Sequence, residues 1–363
     1  MHINNHRSRS LTLLAAFAAM WGGSSLSAAT IQVPSDARTI QGAIDAASDG
    51  DVLIVAAGTW HETINMKGKA IVLKSADGPE ATVLDGRTLP GSIVYCIKGE
   101  SRETGIEGFT LRGGTGDFSV HGPGQTVGGA MYISGSSPRI NDCIFENNNA
   151  NLQGGAVYSV RDAHPSFTNC IFRKNTSEKG GAIFCLLSNC RFTDCTFIGN
   201  LARFSGGAIF NSSHCAPTFV SCRFLSNQAL YNGGAIYDYQ SHGSLSRCTF
   251  ERNSAAFKGG AVYSSYRSDP VFAECRFLTP SDEIVGRRGI RMASIIQTGA
   301  CCLGGGCIVA EMESCIEAGG AFSGNGSICE PTITLCPTSV EGDLNGDGGV
   351  DRRDMAVLMM LWK

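Results

Sequence analysis

The sequence predicts an all-β fold in which the chain winds as a solenoid, a parallel β-helix. Three observations carry this prediction. Gly-Gly pairs recur every 26 or 27 residues and begin at Gly128, Gly154, Gly180, Gly206, Gly233 and Gly259. Between the pairs lies a second block with the pattern Cys-x-Phe-x-x-Asn. Glycine makes up 46 of the 363 residues, against an average share of about 7%.

The composition excludes several classes of protein. Hydrophobic residues make up 43% of the chain, which is enough for a substantial core, so wholesale disorder is excluded. The absence of a Gly-X-Y period excludes collagen. A net charge of −3 excludes a strongly basic nucleic-acid binder. Beyond the N-terminus, no apolar run reaches the roughly 18 residues that a membrane span needs.

Residues 1–29 predict an export signal. The basic start contains His2, His6, Arg7 and Arg9, residues 11–21 are apolar, and small residues precede a cleavage point before Thr30. A membrane anchor is the alternative, and the shortness of the apolar stretch argues against it. The prediction places the mature chain outside the cell or at its surface, where disulfides persist.

A short helix is predicted over residues 39–47, because Ile40, Ala43, Ile44 and Ala47 fall on one helical face. Strand-like runs follow it. The stretch TIQGAIDAASDGDVLIVAAGTWHETI resembles the capped start of pectin-lyase-like right-handed β-helix proteins. The resemblance implies a right-handed, single-stranded solenoid over residues 30–298, with the helix covering its open end.

One repeat predicts one coil of the solenoid. Equivalent residues of stacked coils lie about 4.8 Å apart, so the repeated phenylalanines predict an internal aromatic stack and the asparagines a hydrogen-bonded ladder. The phenylalanines are Phe145, Phe172, Phe197, Phe224, Phe250 and Phe277, and the asparagines are Asn148, Asn175, Asn200, Asn227 and Asn253. The cysteines of the block are expected to be buried thiols, with disulfides as the alternative, because parallel Cβ vectors do not converge.

The combination of Gly-Gly-Ala-aliphatic and Phe-x-x-Asn over residues 125–280 resembles the repeats of polymorphic outer membrane proteins. These proteins form a family of surface-displayed β-helical adhesins, so the resemblance implies a role in adhesion. It does not extend to their export region, and autotransport is therefore not expected.

Two rows of residues follow each Gly-Gly pair. The residue after the aromatic varies, which predicts an exposed row of Ile133, Ser159, Cys185, Asn211, Asp238 and Ser264. The aromatic position never becomes polar, which favours an inward core row of Tyr132, Tyr158, Phe184, Phe210, Tyr237 and Tyr263. An outward aromatic stripe suited to stacking against a polysaccharide is the alternative.

No catalytic residue is predicted. Lyases and hydrolases need paired carboxylates, or calcium ligands with a basic residue, on one outer face. The candidates do not share one position in the repeat and are scattered: Trp60, His61, Glu62, Arg161, Asp162, His164, Asp194, Asp238, His242 and Asp269.

Residues 299–337 predict a small disulfide-stapled module. Six cysteines lie within this segment of an exported chain, and their pairing is open among fifteen arrangements. A zinc site is the alternative. The cysteines are Cys301, Cys302, Cys307, Cys315, Cys329 and Cys336.

Residues 338–363 predict a calcium-binding repeat. Oxygen-bearing side chains fall at positions 1, 3, 5, 9 and 12 of the loop, with glycine at position 6, which is EF-hand spacing. The predicted ligands are Asp343, Asn345, Asp347, Asp351 and Asp354, with Gly349 through its carbonyl. A short apolar helix follows. An acidic, glycine-rich surface turn is the alternative.

This calcium segment resembles a dockerin repeat, the unit that attaches secreted carbohydrate-active enzymes to cohesin scaffolds. The resemblance implies a cohesin-like partner, although only one of the usual two units is evident.

Two functions follow from the sequence. The first is a non-catalytic secreted or cell-surface protein that binds glycans or cells, adhesin-like, with a calcium-dependent attachment tail. The second is an extracellular polysaccharide lyase or glycoside hydrolase. A purely structural extracellular protein is a third possibility.

Overall fold

The computed structural model describes residues 28–118, 124–279, 281–282 and 284–286, and the backbone of strands at 291–303, 306–311 and 321–325. Apart from one helix, α1 (Ile40–Ala46), the regular elements are strands. The first fifteen are β1 (Thr30–Val33), β2 (Val52–Val55), β3 (Gly58–Trp60), β4 (Ile64–Asn65), β5 (Val72–Ser75), β6 (Thr82–Asp85), β7 (Val94–Cys96), β8 (Gly105–Glu107), β9 (Thr110–Arg112), β10 (Met131–Ser134), β11 (Arg139–Asn141), β12 (Ile144–Glu146), β13 (Val157–Val160), β14 (Ser166–Thr168) and β15 (Ile171–Arg173).

The later strands continue the same order along the chain. They are β16 (Thr176–Lys179), β17 (Ile183–Leu186), β18 (Arg191–Thr193), β19 (Thr196–Ile198), β20 (Leu201–Ser205), β21 (Ile209–Ser212), β22 (Thr218–Val220), β23 (Arg223–Leu225), β24 (Gln228–Ala229), β25 (Ile236–Tyr239), β26 (Ser244–Ser246), β27 (Thr249–Glu251), β28 (Ser254–Ala255), β29 (Val262–Ser265), β30 (Val271–Phe277), β31 (Ile284–Gly286), β32 (Arg291–Leu303), β33 (Gly306–Glu311) and β34 (Ala321–Asn325).

The strands form four parallel stacks, which we number in the order in which a coil visits them. Stack 1 contains β11, β14, β18, β22, β26 and β30. Stack 2 contains β12, β15, β19, β23 and β27, and stack 3 contains the short strands β16, β20, β24 and β28. Stack 4 runs from β4 through β7, β10, β13, β17, β21, β25 and β29 to β31. The early strands extend two of these stacks, with β1, β2, β5 and β8 preceding β11 and with β3, β6 and β9 preceding β12. Within the stacks each strand pairs in parallel with the strand one coil away, so the parallel solenoid predicted from the repeat is confirmed.

Helix α1 lies at the first coils. The Thr39 hydroxyl accepts a hydrogen bond from the Gly42 amide at 3.0 Å, and Ile40, Ala43 and Ile44 are buried. The Glu62 carboxylate accepts hydrogen bonds from the first two helix amides, each at 3.1 Å. These contacts give Glu62 a structural role at the start of the helix.

The predicted internal ladders are confirmed. Successive rings of the Phe145–Phe277 row stack with centroids 4.7–4.9 Å apart. Each ladder asparagine donates its side-chain amide to the side-chain oxygen of the next, as Asn200 does to Asn227 at 2.9 Å. All ten cysteines with described side chains are buried free thiols.

The asparagine ladder ends on a carboxylate. Where the repeat loses its asparagine, Asp282 is buried and accepts hydrogen bonds from the Asn253 backbone amide at 2.9 Å and its side-chain amide at 3.0 Å. An aspartate suits this last position because a carboxylate accepts hydrogen bonds without leaving a donor that the next coil would have to satisfy.

The Gly-Gly pairs are explained by two separate constraints. The first glycine has a positive φ, for example 62° at Gly154. This backbone conformation costs conformational free energy for most other residues. A Cβ on the second glycine, Gly155, would overlap the carbonyl oxygen of Gly181 in the next coil. The pair therefore allows the coils to approach closely at this corner.

Three points concern the predicted boundaries and segments. Strand β32 crosses the predicted boundary at residue 298, pairing parallel with β30 and antiparallel with β33 and β34. The export signal, the pairing of the six later cysteines and the calcium loop lie outside the described side chains. Among the described residues, no helix is long and apolar enough to cross a membrane.

Candidate ligand-binding surface

The aromatic row of stack 4 lies on the outside of the solenoid. Side chains alternate between the two faces of a strand, and in β13 both Val157 and Ser159 are completely buried toward the core. Tyr158, between them, therefore points away from the core and belongs to a separate apolar cluster with Tyr132, Phe184 and Phe210. The expected inward direction of this row was wrong, but its burial in a hydrophobic cluster is confirmed for Tyr132, Tyr158, Phe184 and Phe210. Its rings are covered by one another, with centroids 4.6–5.7 Å apart.

The variable row that was expected at the surface lines the interior instead. Ile133, Ser159, Cys185 and Asn211 have no exposed surface, and Asp238 and Ser264 have almost none. Several polar members of the row have partners inside the solenoid, and the Ser159 hydroxyl lies 2.6 Å from that of Ser188. Asn211, for example, donates its side-chain amide to Asp238 at 2.8 Å.

Exposed aromatic residues flank the outer row on both sides. Before the Gly-Gly pairs, Phe204, Tyr231 and Phe257 stack on successive coils, with centroids 5.0 and 4.5 Å apart. After the outer row, Tyr239 and Tyr266 stack at 6.1 Å. We call these five residues, together with Tyr237 and Tyr263, the aromatic surface. The flanking rings lie outside the repeated motif, so the repeat does not predict them.

The aromatic surface is open toward the later coils. The rings of Tyr132, Tyr158, Phe184 and Phe210 are buried, whereas Tyr237 and Tyr263 are half-buried. Phe257 is the most exposed large apolar residue of the described chain, at 67%. Stacked rings present mainly their edges to solvent, but Tyr231 and Phe257 are inclined by 51°. The later coils therefore offer both ring edges and accessible ring surface.

Two cations lie against the aromatic surface. The Lys179 ammonium is 5.7 Å from the centroid of Phe204, and the Arg267 guanidinium is 5.4 Å from that of Tyr266. Both distances are within the range of cation–π attraction. The surface thus combines apolar area with charged hydrogen-bond donors at its edges.

Next to this surface, the turn from stack 4 to stack 1 forms two shallow cavities that share Asn189. One, of about 370 Å³, is lined by Arg161, Asp162, Leu187, Asn189 and His214. The other, of about 330 Å³, is lined by Arg102, His164, Asn189, Arg191, Ala216 and Thr218. Three arginines and two histidines face one aspartate here, so this cleft suits a carboxylate or sulfate group. Of the sequence candidates, Arg161, Asp162 and His164 line these cavities from a single turn between β13 and β14.

The remaining sequence candidates do not join one site. Asp162 pairs with His164 at 3.2 Å, and Asp269 contacts His242 of the coil before its own. Asp194 is an exposed turn residue with a φ of 53°. Trp60 donates its indole N–H to the Ala56 carbonyl at 3.2 Å. Each of these contacts gives its residue a structural role. None of them places two of these residues in a catalytic arrangement.

Asp238 is inside the solenoid. Its side chain is buried beside Asn211 and Ser264, and burial raises its pKa to about 7 despite the hydrogen bond from the Asn211 side-chain amide. A substrate on the outer surface cannot reach this carboxyl group. The raised pKa is therefore a property of the core.

Other carboxylates in the described chain are held by arginines. Asp85 accepts hydrogen bonds from Arg87 at 2.6 Å and Arg112 at 3.1 Å, and these guanidinium groups, Arg87 first, hold the pKa of Asp85 well below its usual range. Glu146 pairs with Arg173 at 2.7 Å. No group of three or more metal-ligating side chains occurs within the described part of the chain, and the predicted ligands Asp343 to Asp354 lie beyond it.

Comparison with known proteins agrees with the coil architecture. A family model described as a right-handed β-helix region matches residues 117–277. The chain is a right-handed parallel β-helix. No curated protein sequence matches it.

Several solved structures are similar to this chain, all at low identity. A pectin methylesterase from carrot is 13% identical, covering 74% of this chain and 87% of its own, with a TM-score of 0.49. A pectin methylesterase from Aspergillus niger is 12% identical, covering 73% and 90%, with a TM-score of 0.47. One from Erwinia chrysanthemi is 13% identical, covering 79% and 85%, with a TM-score of 0.39. None of these similarities bears on activity.

Proposed function

We propose that this protein binds glycans at the aromatic surface and acts outside the cell as a non-catalytic, adhesin-like protein. The observation that carries the proposal is the position of the rings. Three aromatic rows occupy the outer face of consecutive coils, and Phe204, Tyr231 and Phe257 remain 40%, 40% and 67% exposed. Contiguous exposed apolar area of this kind marks interaction sites.

The chemistry of the surface suits a sugar polymer. Aromatic residues combine a large apolar area with a polar edge, as a sugar ring presents both C–H groups and hydroxyls. The rings repeat once per coil, about 4.8 Å along the axis, so a chain lying along the solenoid meets a regular series of contacts. The hydroxyl of Tyr237 lies 3.0 Å from the Ser265 hydroxyl, which orients a polar group at the half-buried row.

The adjoining cleft supplies charged donors to the same ligand. The arginines around Asn189, namely Arg102, Arg161 and Arg191, offer positive charge at the turn from stack 4 to stack 1. Arginine binds carboxylate and sulfate groups through several parallel hydrogen bonds. A glycan that carries acidic sugars can therefore contact both regions.

The two ends of the sequence complete the proposal. Residues 1–29 have the pattern of an export signal, which supports an extracellular or surface location. The loop ligands Asp343, Asn345, Asp347, Asp351 and Asp354, with the Gly349 carbonyl, have the spacing of a calcium site. We propose that calcium orders this segment and that it attaches the solenoid to a cohesin-like protein.

Affinity electrophoresis against neutral and acidic polysaccharides tests the proposed function. We expect at least one polysaccharide to retard the full-length protein. Tyr231→Ala and Phe257→Ala should each weaken that binding about tenfold, which corresponds to about 1.4 kcal/mol and is typical of a central contact. Phe118→Ala is the control, because Phe118 is an exposed ring, at 55%, outside the aromatic surface.

Two outcomes would overturn the proposal. One is the absence of binding across the panel, or equal binding by the wild type and both aromatic variants. The other is release of reducing sugars or unsaturated uronates from a polysaccharide, because turnover would identify an enzyme instead.

A further inference from the structure

Asn189 is held in a fixed orientation between the two cavities that it lines, which together we call the basic cleft. Its side-chain oxygen accepts a hydrogen bond from the Ala216 backbone amide at 2.7 Å, and its own backbone amide donates to the Ala163 carbonyl at 2.9 Å. Only the oxygen of a carboxamide can accept a bond from a backbone N–H. This contact therefore leaves the Nδ2 group of Asn189, with its N–H donors, for a partner in the cleft.

The arginines of the basic cleft differ from the arginines that the coils neutralise. On stack 2, Arg173 pairs with Glu146 of the neighbouring coil at 2.7 Å. Arg102, Arg161 and Arg191 line the cleft, and within the part of the chain that the structure describes none of these three forms an ion pair. Their positive charge is therefore available to an anion from outside the chain.

The coils on either side of Arg191 supply hydroxyl groups instead of acids. Arg191 lies opposite Ser166 of β14 and Thr218 of β22 in the parallel register, and Thr218 also lines the cleft. The acid of the cleft is Asp162, whose side chain is 92% exposed and lies 3.2 Å from that of His164. Water therefore screens the charge of Asp162 from an anion bound near Arg191.

The positive charge is confined to the middle coils. On later coils the same turn from stack 4 to stack 1 carries Asp269 in contact with His242. The chain as a whole has a net charge of −3, so its overall charge does not attract a polyanion. An anionic ligand would therefore be drawn to the basic cleft and not to the surface in general.

We propose that the basic cleft binds a sulfate ester, so that the glycans recognised by this protein are sulfated polysaccharides. The inference rests on the glycan binding in the proposed function and names the class of glycan. One arginine satisfies a planar carboxylate with two parallel hydrogen bonds. A sulfate ester instead directs three terminal oxygens tetrahedrally, and the cleft offers it several arginines, the Asn189 amide and the Thr218 hydroxyl. Because the cavities are shallow, the ester can enter while its polymer lies across the surface.

Three forms of one polymer test this inference. Dextran is neutral, carboxymethyl-dextran carries carboxylates, and dextran sulfate carries sulfate esters on the same backbone. Binding of the full-length protein to each polymer is measured by biolayer interferometry at about 0.15 M ionic strength, where distant surface charges are largely screened. We expect dextran sulfate to bind about tenfold more tightly than carboxymethyl-dextran of equal charge density, because more of the donors find an acceptor.

Variants of the cleft locate the site. Asn189→Asp keeps the oxygen that accepts the Ala216 amide but replaces the N–H donors with a charged oxygen, so it should weaken dextran sulfate binding at least about tenfold. Arg191→Gln should weaken it about fivefold through loss of a charge-assisted contact. Arg223→Gln is the matched control, because Arg223 is an exposed arginine that also lies between two hydroxyl residues of neighbouring coils but lines neither cavity. Thermal unfolding of each variant checks that the fold is retained.

The inference is refuted by any of three results. These are the absence of dextran sulfate binding, equal affinity for dextran sulfate and carboxymethyl-dextran, and a loss in Arg223→Gln as large as in Arg191→Gln. The aromatic variants separate this inference from the proposed function. If Tyr231→Ala and Phe257→Ala weaken glycan binding and Asn189→Asp does not, the cleft is not the site and the aromatic surface stands. If only the cleft variants weaken binding, the sulfate site stands and the aromatic surface is not the glycan site.

Discussion

Replacement of the buried Asp238 by asparagine should change how the stability of the solenoid depends on pH. Burial raises the pKa of Asp238 from 3.8 to about 7 in the folded protein. Between these two values the folded state holds a proton that the unfolded state has released. Because stability falls with pH wherever the folded state binds more protons, the contribution of Asp238 is largest at low pH and is lost as the pH rises through about 7.

The magnitude follows from the size of the shift. One pKa unit corresponds to about 1.4 kcal/mol. Between pH 5 and pH 8, the folded Asp238 passes through its transition while the unfolded carboxyl is already ionised, so the free energy of unfolding should fall by roughly 2 to 3 kcal/mol. Asparagine has the shape of the protonated acid and can still accept the amide hydrogen bond of Asn211. The stability advantage of Asp238→Asn over the wild type should therefore be larger at pH 8 than at pH 5 by this amount.

Guanidinium unfolding, followed by circular dichroism at pH 5, 6, 7 and 8 and constant ionic strength, measures the difference. Asp194→Asn is the matched control, because Asp194 is exposed and its left-handed backbone suits asparagine. Its curve should run parallel to that of the wild type. If the advantage of Asp238→Asn is the same at pH 5 and pH 8, the assignment of a raised pKa to Asp238 is refuted.

Three further predictions concern the ladder, the coil corner and the tail. Asn200→Ala should lower the free energy of unfolding by about 2 to 4 kcal/mol, because it leaves buried hydrogen-bonding groups of both neighbouring coils without partners. Chemical unfolding measures this change, and a loss below about 0.5 kcal/mol would contradict the ladder's role. Gly155→Ala should prevent close coil packing and lower the melting temperature more than Gly199→Ala does. A Cβ at Gly199 meets nothing within 4 Å. Equal decreases in the melting temperature would argue against the close approach of the coils at Gly155. Calcium titration of the full chain should show saturable binding by calorimetry that Asp343→Ala weakens at least tenfold, as expected for loss of a charged ligand; unchanged binding would remove the predicted site.

The repeat itself was enough to predict the coil, its stacking and its internal ladders. Phe197 and Asn200 recur at a fixed spacing, and stacking of identical coils leaves few other places for a ring and an amide that repeat together. The repeat could not show which face of stack 4 points inward. In β13, Val157 and Tyr158 are both apolar, and the choice between two adjacent apolar positions depends on how the preceding Gly-Gly corner directs the chain.

The polar residues in the interior have the same explanation. Asp238 varies among coils, as surface positions do, but the lumen accepts it because Asn211 and Ser264 lie beside it. Sequence variation was therefore no sign of exposure at this position of the repeat, because all six of its residues are buried. The basic cleft was also hidden, since Arg102, Arg161 and Arg191 come from different coils and meet only when the coils stack.

The distribution of aromatic residues distinguishes a binding surface from a second stabilising core. The lumen already contains stacked phenylalanines such as Phe172 and Phe197, and the first rings of the outer row, such as Tyr158, are buried and contribute to stability in the same way. Phe257 is different. Burial stabilises the folded state by about 25 cal/mol per Å² of apolar area removed from water. A ring that is 67% exposed has buried little of its area and therefore contributes little to stability. The solenoid would keep its ladders if Phe257 were polar. Its apolar area, beside Tyr231, is not needed for the ladders, and this is the physical argument that supports the proposal of a ligand at the later coils.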